Sequence, residues 1–576
     1  MNPGIYFSNH STDMKPSIKI SNITTALIAA LLLTCSATRS YAQGINEQVT
    51  VTAAFEPAIP ESGKLSISPS PDETVVKLPV MTYAVKPLQM ETTLKPDNIT
   101  PVKLVGEPVK KLYRNYARVG FGNYTTPYAE FFANSLRSKT YSFGVHLKHL
   151  SSSGKIKDYA KSSNSLNLVE VNGQKYTENH TISAGAGYRR NVAHHYGFIP
   201  AETDYEYNED SLKQRFNRLN LSAGIRSNYT EPDQLNHRLG VSFSSISDLF
   251  ETRESLISID TRLDKRFELF DLTEYQVLGL DANLRFTGYK DSTLKQKSSI
   301  ITLKPSISTE FEEYRLLLGL DFSVQVDSAS KVYLFPYAEA QVRALEDAIV
   351  ITAGITGGLT RKGFDNLSDV NPFIQSILPL RYTRERFTFY AGARARAGKY
   401  IDLSASFSTS SVENEGFFIN DPAAQLLNRF TLVYNDGNVM KGRFEAGYHT
   451  GERIRIKAFA AFEKWSLTND EKPWHRPVSS FGAEGTYDIQ KKIVVKAGFI
   501  TNGKQYAKLP SPDRSGDYLT RTVKGYTDIN LGVEYRYTKL LSAFLNISNL
   551  TGSRYYLWYN YPAYRFRIMG GVSYSF

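Results

Sequence analysis

Few histidine, acidic or nucleophilic residues in this sequence are spaced so that they could act together. His146 and His149 lie three residues apart, and in a β-strand that spacing points their side chains to opposite faces, which prevents joint metal binding. His194 and His195 are adjacent, and we interpret the segment 191–196 around them as a solvated turn at a strand end. We find no G-x-S-x-G motif, no Gly-rich phosphate loop and no nucleophile with its base. We therefore predict that the protein is not an enzyme and carries no cofactor and no metal.

One polar segment offers oxygen atoms of the kind that bind calcium. It contains Asp365, Asn366, Ser368, Asp369 and Asn371 within a predicted loop. Their spacing is not that of an EF-hand, in which ligands occupy fixed positions of a twelve-residue loop. A calcium site is therefore an alternative that the spacing does not favour.

Arginines in two predicted strands share faces, which suggests a basic row inside a larger structure. The row comprises Arg386, Arg394, Arg396, Arg565 and Arg567. One interpretation is a path for anionic solutes. The alternative is salt-bridged filling, with Asp281, Asp528 and Glu534 as the partners.

The elements that must position these residues are recurrent segments of about ten residues in which apolar and polar side chains alternate. Leu278, Leu280, Leu284 and Phe286, for example, alternate with polar or small residues. Such alternation, with 12% aromatic residues and no long apolar run after the N-terminus, is typical of transmembrane β-barrels. We predict an all-β protein, a transmembrane antiparallel barrel of about 20–22 strands over residues 112–576. A secreted β-sandwich would also alternate, but here charged residues keep to one face of each strand.

The last predicted strand is the sharpest example. Its apolar face consists of Phe566, Ile568, Gly570, Val572, Tyr574 and Phe576. A terminal aromatic strand of this kind is what the outer-membrane barrel-insertion machinery reads, so we predict an insertion signal here and assign the protein to the outer membrane of a Gram-negative cell.

The N-terminal part of the chain divides into two segments. Residues 1–42 have a basic start, an apolar core and a small-x-small site at Ser40-Tyr41-Ala42, which predict a signal peptide. A lipoprotein alternative rests on Leu32-Leu33-Thr34-Cys35; with cleavage after Ala42, the single cysteine is lost. Residues 43–111 contain nine of the 24 prolines, which predicts an extended periplasmic or lumen-threading arm.

The formal charge of +11 comes from basic residues dispersed along the chain. A nucleic-acid-binding protein would cluster them on one face, and an exported protein does not meet nucleic acid, so we exclude that partner. Outer-membrane lipids, including lipopolysaccharide, and anionic solutes are the partners that this charge favours.

The C-terminal segment combines three features. They are the run Asn546-Ile547-Ser548-Asn549-Leu550, the tyrosine-rich Arg554-Tyr555-Tyr556 and the terminal aromatic strand. Together they resemble the last two strands of TonB-dependent receptors. The segment Val49, Thr50, Val51, Thr52 and Ala53 resembles a TonB box, although it could equally be a short edge strand. If it is a TonB box, the resemblance implies TonB as a partner of the arm.

The arm is shorter than the plug domain that TonB-dependent receptors place between box and barrel. Segments such as Phe55-Glu56-Pro57-Ala58-Ile59-Pro60 and Val119-Gly120-Phe121-Gly122-Asn123-Tyr124 are similar to plug-less barrels of the Bacteroidota type. The resemblance implies ligand binding or transport across the outer membrane. The alternative is a structural subunit of an outer-membrane assembly or export complex, tethered to envelope proteins through its arm.

Overall fold

The computed structural model describes residues 112–576, except 230, 232, 271–274, 328 and 512–516. The predicted signal peptide, the proline-rich arm and the TonB-box-like segment therefore lie outside the described residues. The alternating segments do form strands, and the fold is the predicted all-β barrel.

The first half of the barrel wall consists of eleven strands. They are β1 (Asn115–Gly122), β2 (Thr126–Asn134), β3 (Tyr141–Ser152), β4 (Asn164–Tyr176), β5 (His180–His194), β6 (Lys213–Ser227), β7 (Asn236–Ser247), β8 (Arg253–Phe267), β9 (Gln276–Lys290), β10 (Lys295–Glu310) and β11 (Tyr314–Val326).

The second half adds eleven more wall strands and two small hairpins. The wall strands are β12 (Ser330–Ala344), β13 (Ile349–Arg361), β14 (Tyr382–Ala397), β15 (Ile401–Asn420), β16 (Phe430–Thr450), β17 (Ile454–Leu467), β18 (Ser479–Ile489), β19 (Ile493–Asn502), β22 (Tyr526–Arg536), β23 (Leu541–Ser548) and β26 (Arg567–Ser575). The hairpins pair β20 (Gln505–Pro510) with β21 (Tyr518–Val523) and β24 (Tyr556–Trp558) with β25 (Tyr561–Pro562).

The 22 wall strands form one closed antiparallel sheet. β1 pairs with β26, with Tyr116 opposite Ser575 and Val119 opposite Val572, so the first and last wall strands close the barrel. Closure leaves no unpaired sheet edge among these strands, which is what a lipid environment requires of β-structure. The strand number lies within the predicted 20–22.

Side chains alternate between the lipid and the lumen along each strand. On β9, Leu278, Leu280 and Phe286 are exposed on the outer face, whereas Asp281 points inward and forms an ion pair with Arg262 of β8. On β26, Val572 and Tyr574 are likewise exposed on the outer face. A closed barrel with an apolar outer band places the protein in the outer membrane.

The helical content is small. The described residues form one α-helix, α1 (Phe364–Val370), and two short 3-10 helices, Pro200–Glu202 and Glu209–Leu212. None of the helices in this part of the chain has the length and apolar character needed to cross a membrane.

The two ends of the barrel differ in their connections. At the end where Asn115 and Phe576 pair, the strands are joined by turns of three to eight residues. The opposite end carries the long connections. Because outer-membrane barrels have short periplasmic turns and longer extracellular loops, this is the outer end.

Candidate functional site

Seven long loops at the outer end pack together, and we call them the loop cap. They are residues 153–163, 195–212, 362–381, 421–429, 468–478, 503–525 and 549–566. Their described parts carry much of the buried apolar surface of the molecule, including Phe198, Leu378, Trp474 and Tyr561. The cap is therefore a folded structure with its own core, unlike a set of independent surface loops.

Tyr561 is the centre of that core. Its ring stacks on Phe373 at 3.8 Å, meets Tyr196 edge-on at 4.9 Å and lies 5.7 Å from Phe430. Its hydroxyl donates to the carbonyl of Asn428 at 2.5 Å. These partners belong to connections on different sides of the wall, so the aromatic contacts join loops across the mouth of the barrel.

The loop 362–381 enters the mouth through α1, which is anchored by a buried arginine. Arg218 of β6, with 1% of its side chain exposed, binds Asp365 at 2.5 Å and Asp369 at 2.9 Å. Arg189 of β5 also binds Asp369, at 2.6 Å. These carboxylates are thus paired with arginines. No group of three His, Cys, Asp or Glu side chains that could hold a metal ion lies close together in the described part of the chain.

The start of α1 requires glycine. A Cβ atom added at Gly363 would lie 2.1 Å from a carboxylate oxygen of Glu254, which is too close for any heavy atom. That carboxylate accepts a hydrogen bond from the backbone N–H of Phe364 at 3.2 Å and pairs with Arg361 at 3.0 Å. Because Glu254 belongs to β8, this contact draws the start of the loop from β13 towards a strand five positions away in the wall.

The second half of the same loop is tied to both sides of the mouth. Ser376 donates a short hydrogen bond to Asp248, which follows β7, and its carbonyl accepts from Thr252 at 3.0 Å. The backbone N–H of Gln375 donates to Phe430 of β16 at 2.9 Å, and Gln375 also donates to Thr431 at 2.8 Å. The loop therefore spans the lumen between β7 and β16.

Two buried histidines lie within the cap. His475 Nδ1 donates to the carbonyl of Phe418 at 3.1 Å, while Nε2 accepts from the backbone N–H of Tyr559 at 3.4 Å, which requires a neutral ring. Burial lowers the pKa of His475 to about 4. Burial and the nearby Arg429 lower the pKa of His195 to about 3. His195 is thus buried in the cap and not in a solvated turn, so that interpretation of the sequence was wrong.

Beneath the cap lies a cavity of about 1240 Å³ with a mixed charged and apolar lining, bounded by the inner faces of β12–β18 and by cap residues such as Val370 and Trp558. It is lined by five basic and three acidic residues, namely Lys362, Arg394, Lys441, Arg443 and Arg476 with Glu339, Glu445 and Glu463. The lining therefore carries an excess of positive charge.

Two basic residues of the cavity lining have no carboxylate as an ion-pair partner among the described residues. Arg476 and Lys362 share Glu415, and Arg443 pairs with Glu445 at 2.6 Å. In the described part of the chain, Arg394 and Lys441 have no carboxylate within ion-pair distance. An anion entering the cavity would meet these two side chains.

The predicted basic row is only partly assembled. Arg394 lines the cavity, but Arg386 binds Glu413, and Arg396 pairs with Asp402 at 3.4 Å. Arg567 is the first residue of β26. Arg565 lies in the preceding loop, where it donates to the carbonyl of Gly552 at 2.6 Å.

Acidic residues that the sequence suggested as salt-bridge partners of the basic row also lie next to other arginines instead. Asp281 pairs with Arg262, and Glu534 lies 3.7 Å from Arg536. Lys441 and Arg443 were not predicted as lumen residues from the sequence. Their spacing of two residues on β16 is the pattern from which they could have been predicted.

The remaining predicted residues have clear positions. His146 points inward between Glu130 and Glu170, whereas His149 contacts Asn167 and Ser151 on the other face, as their spacing requires. The predicted insertion-signal residues from Ile568 to Tyr574 lie on β26, with Phe566 and Phe576 just beyond its ends.

Solved structures identify the class of fold. The FrpB iron transporter from Neisseria meningitidis matches with a TM-score of 0.62 at 12% identity, over 81% of this chain and 82% of that one. The pyoverdine outer-membrane receptor FpvA from Pseudomonas aeruginosa matches at 0.61 and 12%, over 81% and 79%. The siderophore receptor PirA from Acinetobacter baumannii matches at 0.61 and 12%, over 81% of each chain.

These likenesses show that the chain has the fold of large outer-membrane receptor barrels. No protein-family model matches the sequence, and no curated protein matches it either. The names of these structural neighbours describe receptors and an iron transporter.

Proposed function

We propose that the protein is an outer-membrane receptor barrel that binds a ligand at its loop cap and admits it to the cavity beneath for transport. The observation that carries this proposal is the folded cap over a cavity of about 1240 Å³ that is lined in part by charged residues. A cavity of that size takes a small molecule, since ligand pockets are typically about 300–1,000 Å³. Arg394 and Lys441 favour an anionic ligand.

In this proposal the cap does the work of a plug. The arm of residues 43–111 is too short for the plug domain of the receptors that the C-terminus resembles. Control of access would then lie with the outer loops, in particular with residues 362–381. If Val49 to Ala53 is a TonB box, TonB would act on the arm, and deleting those residues would stop uptake without altering the cap.

The structural-subunit alternative also has an observation in its favour. The cap core packs like a protein interior, with Phe364, Ile374, Phe430 and Tyr561 fully buried. A permanently closed cap would suit a platform for partner proteins at the cell surface. The two functions make opposite predictions when the cap is removed.

The experiment is to replace residues 363–380 by a four-residue Gly-Ser linker and to record conductance in planar bilayers. Arg361 and Tyr382 are register partners at the ends of β13 and β14, so a short turn can join them without disturbing the wall. We expect few openings in the intact protein and a persistent conductance with anion preference in the variant.

The matched control places the same linker at residues 537–540, a turn at the periplasmic end, and should behave as the intact protein. A cap-deleted barrel that remains silent has no path beneath its cap, which contradicts the transport proposal. In that case, co-purification of a stoichiometric partner with the intact protein would support the structural alternative.

A further inference from the structure

Four cations cluster on the lipid-facing surface at the outer rim of β8–β10. In the register of these strands, Arg253 lies opposite Lys290, and Lys290 lies opposite Lys295. Lys297 is on the same face one step nearer the membrane, opposite Gly288. All four are exposed. We call Arg253, Lys290, Lys295 and Lys297 the cationic rim.

Like charges directly opposite each other in a sheet are destabilising, so a row of three requires compensation. None of the four has a carboxylate within ion-pair distance in the described part of the chain. The nearby Glu254 points inward to Arg361, and Asp291 is buried, with its oxygens accepting from Tyr289, Thr293 and the backbone N–H of Leu294. The neighbouring acids are therefore committed elsewhere.

One carboxylate and one further cation lie beside the rim. Asp327 and Arg381 share a shallow cavity of about 480 Å³ with Lys295 and Lys297. Asp327 accepts hydrogen bonds from Gln325 at 2.6 Å and from the backbone N–H of Ala329 at 3.1 Å. One such acid does not balance the cations around it, so the rim is a site of net positive charge.

The residues below the rim place it at the membrane boundary. On β7–β9 the next level of the same face consists of small residues, with Ser245 opposite Ser255 and Ser255 opposite Gly288, and it continues on β10 with Lys297. Below it the surface turns apolar, with Phe243 opposite Ile257 and Ile257 opposite Phe286. Successive levels are about 7 Å apart along a strand, so the cations lie at the depth of lipid headgroups.

We propose that the cationic rim binds the phosphate groups of an outer-leaflet glycolipid, whose acyl chains lie along the apolar band below. The step of small residues leaves space for the sugar headgroup between the cations and Phe286. Phosphate accepts several hydrogen bonds from lysine and arginine and neutralises the like-charged row. This site lies on the outside of the wall and does not depend on the proposed ligand path through the lumen.

The test compares binding of bis-phosphorylated lipid A by the detergent-purified protein and by a variant with Arg253, Lys290, Lys295 and Lys297 all replaced by Gln. Binding is read by native mass spectrometry and by the rise in Tm. A cation near an anionic lipid surface contributes enough that we expect the affinity to fall on the order of a hundredfold or more. In lipid-free detergent the variant should be at least as stable as the parent, because repulsion has been removed.

The matched control removes four cations from the periplasmic turns instead, by replacing Lys139, Lys399, Lys492 and Lys539 with Gln, and should bind as the parent does. If the variant with all four rim residues replaced fails to fold, the single substitution Lys290→Gln can be used instead. Lys290 lies at the centre of the row, and its loss should weaken binding about tenfold. Unchanged binding by the rim variants would overturn the proposal. So would an equal rise in Tm with inorganic phosphate, which indicates a small-anion site, or with dephosphorylated lipid A.

Discussion

The barrel wall and the loop cap are stabilised in different ways. In the wall, every strand repeats the same local pattern. Alternate side chains face the lipid, as Leu278 does, or the lumen, as Asp281 does, and each strand pairs with its neighbours in sequence. The cap depends on contacts between distant residues, such as Arg218 with Asp365 and Tyr196 with Tyr561. Single substitutions should therefore leave the wall intact and release the cap.

The largest effect is expected from Tyr561→Ala. Removing this fully buried ring takes away its contacts with three other aromatic rings and leaves a cavity, which should destabilise the cap by about 3–5 kcal/mol. Hydrogen exchange of residues 362–381 and 549–566 would report the loss. Tyr561→Phe removes only the hydrogen bond to Asn428 and should cost about 1 kcal/mol. Wall strands that lose protection together with the cap would contradict the comparison.

Arg218→Met should have a slightly smaller effect. It removes the buried partner of Asp365 and Asp369, but these carboxylates are partly exposed and Asp369 keeps its pair with Arg189, so the loss should be about 1–3 kcal/mol. Limited proteolysis within 362–381 should become faster. The control is Arg262→Met, whose half-exposed ion pair with Asp281 lies outside the cap and should cost at most about 1 kcal/mol. Equal protease sensitivity of both variants would argue against a special role for Arg218.

The sequence predicts the wall well because each strand carries its own signal. β9 and β26 could be recognised from alternation alone, and the strand number follows from counting such segments. The upper parts of β15 and β16 were harder, because segment 411–425 looks like a loop, yet β15 continues to Asn420. There the strands rise above the lipid and are covered by the cap, so the outward face is no longer uniformly apolar.

The candidate site could be predicted only in part. Arg394 was found because alternation places it in the lumen. Lys362 and Arg476 come from loops, and they meet at Glu415 only after β14 to β18 have formed the wall. No local pattern encodes such a meeting, and the pairing of Asp365 and Asp369 with Arg218 could not be predicted for the same reason.

Gly363→Ala tests the entry of α1 into the mouth. The new Cβ would displace Glu254 and loosen its pairing with Arg361, and overpacking of this kind costs about 1–3 kcal/mol. Gly358 of β13 is the matched control, because a Cβ there meets nothing within 4 Å. Hydrogen exchange of α1 should rise only in the first variant. A similar rise with Gly358→Ala would show that the effect does not come from Glu254.

The smallest expected effect is that of a small drop in pH, from about 7.5 to about 6.5. His475 and His195 have pKa values of about 4 and about 3 in the closed cap, below the ordinary value of 6.5 that they regain when the cap detaches. Acid therefore favours the detached state. Cap stability should be constant above about pH 7 and fall below pH 6.5 by up to about 1.4 kcal/mol per pH unit for each histidine. His475→Gln should reduce the slope measured by hydrogen exchange, and an unchanged slope would contradict this origin.

The central claim is that the cap controls access from outside to the cavity, and cysteine labelling on intact cells tests it most directly. Ser406 lines the cavity, so Ser406→Cys in a chain with Cys35 replaced by Ser provides a single reporter for a membrane-impermeant maleimide. Glu206→Cys, exposed on an outer loop, reports that the protein is present and reachable. We predict slow labelling at position 406 with the cap intact and labelling at least about tenfold faster when Tyr561→Ala releases the cap. Equally fast labelling in both would contradict the account.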